Sequence, residues 1–365
     1  MLLLIPHSKV ENFLQENHKY LKKNDVIIDL GNSNPDDTII RYKKYYSSKI
    51  YFFGIGFSGG VEAAKKNPCL MAAGNKKEKA IIADIIKKLF SQKIQIIGTD
   101  QRLGHLSKIC HNSIEYSIMQ ILAEFYNLQK KILFLPEMEI IENFNKLNSR
   151  IKSFYLGELS QKILNSNMKR KVNCEIYDDQ IDHNNTAKWF NILCLENNIA
   201  APSLLGSFEK RLLSKNPKKK KLMKNSKKIK VKNYIETFEF LIYCSYIQGV
   251  YALISYCKIK KIKINTSALL KVWSENSIIA SEILNKINNK LEIKKILTCD
   301  FFKNKNLNKF EKKIINLINL FLQNKQSPIS MFSTYNWILS MYKTKNIDNI
   351  FIQILRNKFG SHKLK

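Results

Sequence analysis

Hydrophobic periodicity changes character near residue 102, and that change limits the possible folds more than any other feature of the chain. Before it, short apolar runs alternate with helical segments. Residues 9–23 read as a helix, Val26–Leu30 as an apolar strand, and residues 36–48 as a short helix opened by Pro35-Asp36-Asp37. Ile50–Ile55 reads as a second strand, residues 76–90 as an amphipathic helix and Ile94–Ile97 as a third strand. Strands separated by helices predict a largely parallel sheet. Beyond residue 102, helical periodicity runs over 104–131, 136–148, 152–166, 186–198, 233–257, 266–288, 308–324 and 328–342. The expected architecture is α/β plus all-α, with a sheet domain over residues 1–101 and a large helical domain over 102–365.

Composition narrows the setting. A chain of 365 residues can bury a large core in two domains. No run approaches the roughly 18 apolar residues of a membrane span, and MLLLIPHS lacks the basic start of a signal peptide. The seven cysteines are scattered without a CxxC pair, so a reduced, cytoplasmic protein with no metal site is expected. The net charge of +31 invites a nucleic-acid reading, but only six of the 61 basic residues are arginine. Lys, Asn and Ile are abundant throughout, as AT-biased coding produces, and the better residue for bidentate phosphate and base recognition is scarce. A small anionic substrate suits the charge equally well, and neither nucleic acid nor membrane is expected as a partner. Residues 215–232 hold ten lysines and read as a solvated loop.

Two loops lie where ligands bind to α/β sheets. Gly54-Ile-Gly56-Phe-Ser-Gly59-Gly60 follows a strand and fits GxGxxG, a pattern that can mark a dinucleotide turn. However, Pro68 interrupts any long helix after it, and no acidic residue follows at the required spacing. Its expected role is a glycine loop whose backbone N–H groups and Ser58 hydroxyl grip a carboxylate or phosphate. Asn32 follows the first strand directly, at the sheet edge that binds ligands, and an Asx-type turn explains it equally well.

Residues 104–116, GHLSKICHNSIEY, carry the densest chemistry. Lys108, His111, Asn112, Glu115 and Tyr116 fall at i, i+3, i+4, i+7 and i+8 of a helix. At about 100° per residue they share an arc of roughly 140°. The opposite face, Leu106, Ile109, Cys110, Ile114, Ile118 and Ile121, can be buried. A lysine in a closed pocket can lose enough proton affinity to act as a base, and a glutamate can gain enough to act as an acid.

The order of these pieces resembles the 6-phosphogluconate dehydrogenase family. The resemblance rests on IIDLGNS (27–33), GFSGG (56–60) with PCLMAAGNK (68–76), GHLSKICHNSIEYSIMQ (104–120), TAKW (186–189), KRLLS (210–214) and FIQILRNKFGSH (351–362). It implies a Rossmann-like first domain and oxidative decarboxylation of 6-phosphogluconate to ribulose 5-phosphate with reduction of NADP. It further implies that Lys108 is the base and Glu115 the acid. Asn32, Ser58, Gly59, Gly60, His111 and Asn112 would hold the sugar acid, and Tyr116, Arg211, Arg356 and His362 the phosphate. In the family the last two reach the site from a partner subunit, so a homodimer is implied.

Departures from the family pattern set further expectations. About seventy residues with the first βαβ unit and the dinucleotide fingerprint would precede Met1. Their absence would leave Leu4, Ile5, Pro6 and Asn32 to touch the cofactor, and would give the sheet an exposed edge and an uncovered face. The family's C-terminal tail would extend past Lys365. Asn184 stands where the family has a phosphate-binding lysine, and Asn185 and Ala187 replace glycines. Ala tolerates positive φ poorly, and Lys188 is a candidate to compensate for Asn184. The alternatives left open are a degenerate relative that keeps the sugar-phosphate pocket without binding NADP, and a basic nucleic-acid-binding protein.

Overall fold

The computed structural model describes residues 1–60, 65–170, 179–215, 233–288, 304–340 and 347–360. His362 and almost all of the lysine-rich run lie outside them. β1 (Leu2–Leu3), β2 (Val26–Asp29) and β3 (Tyr51–Gly54) form a parallel sheet in that order, with Leu2 opposite Ile28 and Ile28 opposite Phe53. α1 (His7–Asn17) and α2 (Pro35–Ser47) make the crossovers. Asn34 caps α2 by accepting from Asp36 N, and Pro35 needs no donor at the first helical position.

Side chains alternate across the sheet. Ile27 and Phe52 pack with Leu3, Val10, Leu14 and Tyr45 on one face. Ile28 and Phe53 pack with Ile55, Leu70, Ile82 and Ile86 on the other, under α3 (Lys76–Phe90). Both faces of β2 and β3 are therefore covered, contrary to the expected bare face. β1 remains an edge of this sheet.

Two sequence expectations need correction here. Ile94–Ile97 is no strand; it contributes one isolated bridge, Ala72 to Ile96. Its place is taken by an antiparallel pair, β4 (Gly56–Ser58) with β5 (Cys69–Met71), in which Ser58 faces Cys69. The glycine segment is thus largely extended, and its first two glycines serve close packing. α4 (Leu103–Asn127) crosses directly over the β3–β4 backbone. A Cβ on Gly104 would lie 2.0 Å from the Gly54 carbonyl oxygen, and one on Gly56 would lie 2.5 Å from the Gly104 carbonyl oxygen.

The helical domain is built around α4, in which Leu103 through Ile114 are all buried. A π-helical turn, Leu128–Ile132, prolongs it. α5 (Glu137–Ile151), α6 (Tyr155–Arg170), α7 (Thr186–Glu196) and α8 (Pro202–Ser214) follow. α9 (Tyr234–Ile259) is long and apolar enough to cross a membrane, but 83% of its apolar window is buried inside the protein. It packs along α4: a Cβ on Gly249 would collide with Ile114, and Phe125 stacks obliquely on Phe238. The expected helix 266–288 is two, α10 (Thr266–Asn276) and α11 (Glu282–Asn288). Ser277 breaks it: its hydroxyl donates to Trp273 O and accepts from Ile279 N, and its backbone is extended. α12 (Asn304–Gln323), α13 (Ile329–Leu339) and α14 (Ile347–Gly360) complete the described chain.

Gly104→Ala should be destabilising by about 3 kcal/mol, because the added methyl meets backbone that cannot move aside as a side chain would. A urea titration checks this; an unchanged midpoint would contradict the packing described.

Candidate active site

α4 enters the helical domain beneath the C-terminal ends of the strands. His105 anchors it: Nε2 donates to the Asp29 carbonyl of β2 at 3.2 Å, and Nδ1 meets the Thr38 hydroxyl of α2 at 2.6 Å. The Asp29 carboxylate accepts from Ser33 Oγ at 2.6 Å and from Gly31 N at 2.9 Å, which shapes the loop that carries Asn32. One turn beyond His105, Lys108 opens into a cavity of about 590 Å³.

Five parts of the chain line that cavity. They are Leu4, Ile5, Pro6 and His7 after β1; Leu30, Gly31 and Asn32 after β2; Phe57 of β4; Lys108 of α4; and Asn184, Asn185 and Trp189 at the start of α7. The sequence-derived residues Leu4, Ile5, Pro6, Asn32 and Lys108 thus share one space. Lys108 is 8% exposed and gives no hydrogen bond to any described residue. Burial lowers its pKa from the usual lysine value, with Glu115 opposing. Burial raises the Glu115 pKa above the carboxylate range, with Lys108 and Arg211 opposing. Each group is thereby pushed toward its neutral form. Burial, reinforced by Lys108, also holds the His111 pKa well below its usual value. The 3.7 Å separation of His111 Nδ1 from Glu115 Oε2 is therefore not an ion pair.

A chain of hydrogen bonds runs along this face. Ser58 Oγ donates to His111 Nε2 at 2.9 Å, and His111 Nδ1 donates to Asn112 Oδ1 at 3.0 Å. Asn112 Nδ2 donates to Thr186 Oγ1 at 2.8 Å, and Thr186 Oγ1 donates to Asn184 Oδ1 at 2.5 Å. The Tyr116 hydroxyl also donates to Asn184 Oδ1, at 3.3 Å. The Arg211 guanidinium lies 3.5 Å from the centre of the Tyr116 ring, and its Nη1 donates to Asp182 O. Ser58, His111, Asn112, Tyr116 and Arg211 are thus gathered as one wall that continues from Lys108 and Glu115.

The remaining sequence candidates are placed as follows. Gly59, with φ of 116°, uses a conformation that favours glycine. Gly60 abuts Tyr155, whose hydroxyl would lie 2.5 Å from a Cβ there. Arg356 is exposed on α14 and does not line the cavity. His362 lies outside the described residues. Asn185 takes φ of 64° and opens α7, a conformation asparagine tolerates. Ala187 lies buried inside the helix with no positive φ, so the strain expected of it is absent. Lys188 is exposed on α7 and does not line the cavity, so no direct compensation for Asn184 is seen.

Sequence reasoning did not assign Thr186, Phe57, His7 or Trp189 to the site. Thr186, Trp189 and Phe57 lie within the TAKW and GFSGG motifs without an assigned role, and no local signal marks His7.

Comparison with known proteins agrees with this arrangement. Residues 1–98 match the family model described as the NAD binding domain of 6-phosphogluconate dehydrogenase, and residues 104–365 match that of its C-terminal domain. A sheet domain for a nicotinamide cofactor joined to this helical domain defines an oxidoreductase. The chain belongs to the 6-phosphogluconate dehydrogenase family. It is 28% identical to the decarboxylating 6-phosphogluconate dehydrogenase of Ceratitis capitata over 99% of this chain and 79% of that protein. It is 27% identical to that of Staphylococcus epidermidis over 94% and 77% respectively. The fold superposes on the 6-phosphogluconate dehydrogenase of Plasmodium falciparum with a TM-score of 0.85 at 22% identity. The superposition covers 100% of this chain and 83% of that one.

Proposed function

We propose that the protein oxidatively decarboxylates 6-phosphogluconate to ribulose 5-phosphate with reduction of NADP. The observation that carries this reading is the buried Lys108, which shares a cavity with Leu4–Pro6 and Asn32 and a helix face with Glu115. The apolar Leu4, Ile5 and Pro6 at the strand ends suit a flat nicotinamide ring, and the Asn32 amide can meet a polar edge of cofactor or substrate. NADP bound there would supply the acceptor for the hydride that leaves C3 of the substrate.

Lys108, whose proton affinity burial lowers, takes the proton of the C3 hydroxyl. The resulting β-keto acid loses CO2, and the protonated Lys108 steadies the enolate oxygen as charge develops. Glu115, whose proton affinity burial raises, delivers a proton to C1 of the enediol. Ser58, His111 and Asn112 orient the hydroxylated acid, while Arg211, held flat against Tyr116, meets the phosphate. We also assign Gly59 and Gly60 to the sugar acid, and Arg356 and His362 to the phosphate of a partner subunit in a cytoplasmic homodimer.

The test is direct: purified protein with NADP and 6-phosphogluconate, read by NADPH absorbance. Lys108→Ala should lower kcat about 10²–10⁴-fold, the usual contribution of a positioned base. Wild-type protein without turnover would sink the reading.

The profile of kcat/KM against pH should be bell-shaped. Burial moves the Lys108 pKa down from 10.5 and the Glu115 pKa up from 4.5, so both limbs should fall between those values. Activity is lost at low pH as Lys108 gains a proton and at high pH as Glu115 loses one. A flat profile from pH 5 to 10 would exclude this pairing.

Asn184→Lys should tighten binding of 6-phosphogluconate about tenfold in calorimetry, by restoring a charge-assisted contact to phosphate. Unchanged affinity would mean that the phosphate lies elsewhere.

A further inference from the structure

The cavity rim carries a contact that the chemistry above does not use. His7 opens α1 directly after Leu4–Pro6, and Trp189 lies in the first turn of α7 after Asn184 and Asn185. Their rings meet edge-on, with centroids 4.8 Å apart and planes at 67°. α2 holds the imidazole from its other sides. Asn34 N donates to Nδ1 at 3.4 Å, which leaves the proton on Nε2, and Nε2 faces the Asp37 carboxylate at 3.2 Å. The ring cannot swing away from the indole without giving up both partners. Trp189 also lines a second cavity of about 280 Å³ with Asn34, Arg102 and Tyr256, so the residue borders two spaces.

The wall made by Leu4–Pro6 belongs to the sheet domain and Lys108 to the helical domain. Their separation is therefore set by contacts between domains. At the base those contacts include His105 with Asp29 and Thr38, and Ser58 with His111; at the rim they include His7 with Trp189.

We propose that His7 and Trp189 are positioning residues, whose edge-on contact sets the distance between the Leu4–Pro6 wall and Lys108 and closes the reaction cavity from the space behind the indole. The proposal rests on the functional reading above. Each wall binds its own ligand, so loss of the bridge falls on the step that needs both walls in register. A misplacement of about 1 Å at such a step can cost on the order of 10²-fold in rate.

The experiment is a double-mutant cycle with His7→Ala, Trp189→Ala and the pair, with NADP and 6-phosphogluconate as substrates. Each single variant should lower kcat about tenfold while KM for 6-phosphogluconate stays within twofold, and the pair should be no worse than either alone. His7→Phe, which keeps a ring against Trp189, should recover most of kcat. Multiplicative losses, or losses confined to KM, would overturn the proposal.

A second readout needs no turnover. The chain has three tryptophans, and subtracting the emission of Trp189→Phe isolates that of Trp189. His7→Ala should shift it to the red as water reaches the indole, and unchanged emission would refute the contact. Absence of wild-type turnover would remove the functional reading and this proposal together; turnover with independent losses would remove the positioning role alone.

Discussion

A helix can approach a strand only as closely as the Cβ atoms between them allow, and here glycines lift that limit. Gly104 faces the Gly54 carbonyl and Gly56 faces the Gly104 carbonyl, so α4 lies directly on the backbone of β3 and β4. That approach brings His105 within reach of Asp29 and Thr38 and lets Ser58 meet His111. It also places Lys108 in the same cavity as the loops after β1 and β2. With a side chain at either glycine the helix would stand off the sheet, and the contacts that join the two domains would open together.

The same approach determines the proton states of the site. α4 is buried along its first three turns, so the groups on its polar face cannot rely on water to support charge. Lys108 moves down, Glu115 moves up and His111 stays neutral, all with burial as the leading cause. The stability given up by burying such groups is offset elsewhere in the core. Ile109, Ile114 and Ile118 are almost fully buried on the other side of the helix, each contributing about 1.5–3 kcal/mol.

Features with a local cause were legible in the sequence. α3 occupies residues 76–90 as its periodicity indicates, and its N-terminus carries a capping box between Asn75 and Glu78. The five polar residues of α4 were visible because helical spacing alone puts them on one face. Features with a non-local or hydrogen-bonding cause were not. β4 and β5 are three residues each, too short to show a period of two. The break at Ser277 depends on where one hydroxyl turns, which hydrophobic spacing does not record. The ring contact between His7 and Trp189 joins two domains, and neither residue's neighbours announce it. Ala187 erred in the opposite sense: the glycine pattern suggested a strained turn, yet the turn falls at Asn185 and the alanine is helical.

The hydrogen-bond chain from Ser58 to Asn184 has a direction. Every link passes a proton donor forward, and two hydroxyls converge on Asn184 Oδ1. Asn184 Oδ1 is thereby occupied, while Lys108 and the Asn32 and Asn185 amides also line the cavity. The Lys108 amine and the amide N–H groups are donors, and a guest selects itself by the oxygens it can present to them. An apolar guest of the same size would leave those donors dry and unanswered, a penalty that discriminates more sharply than shape.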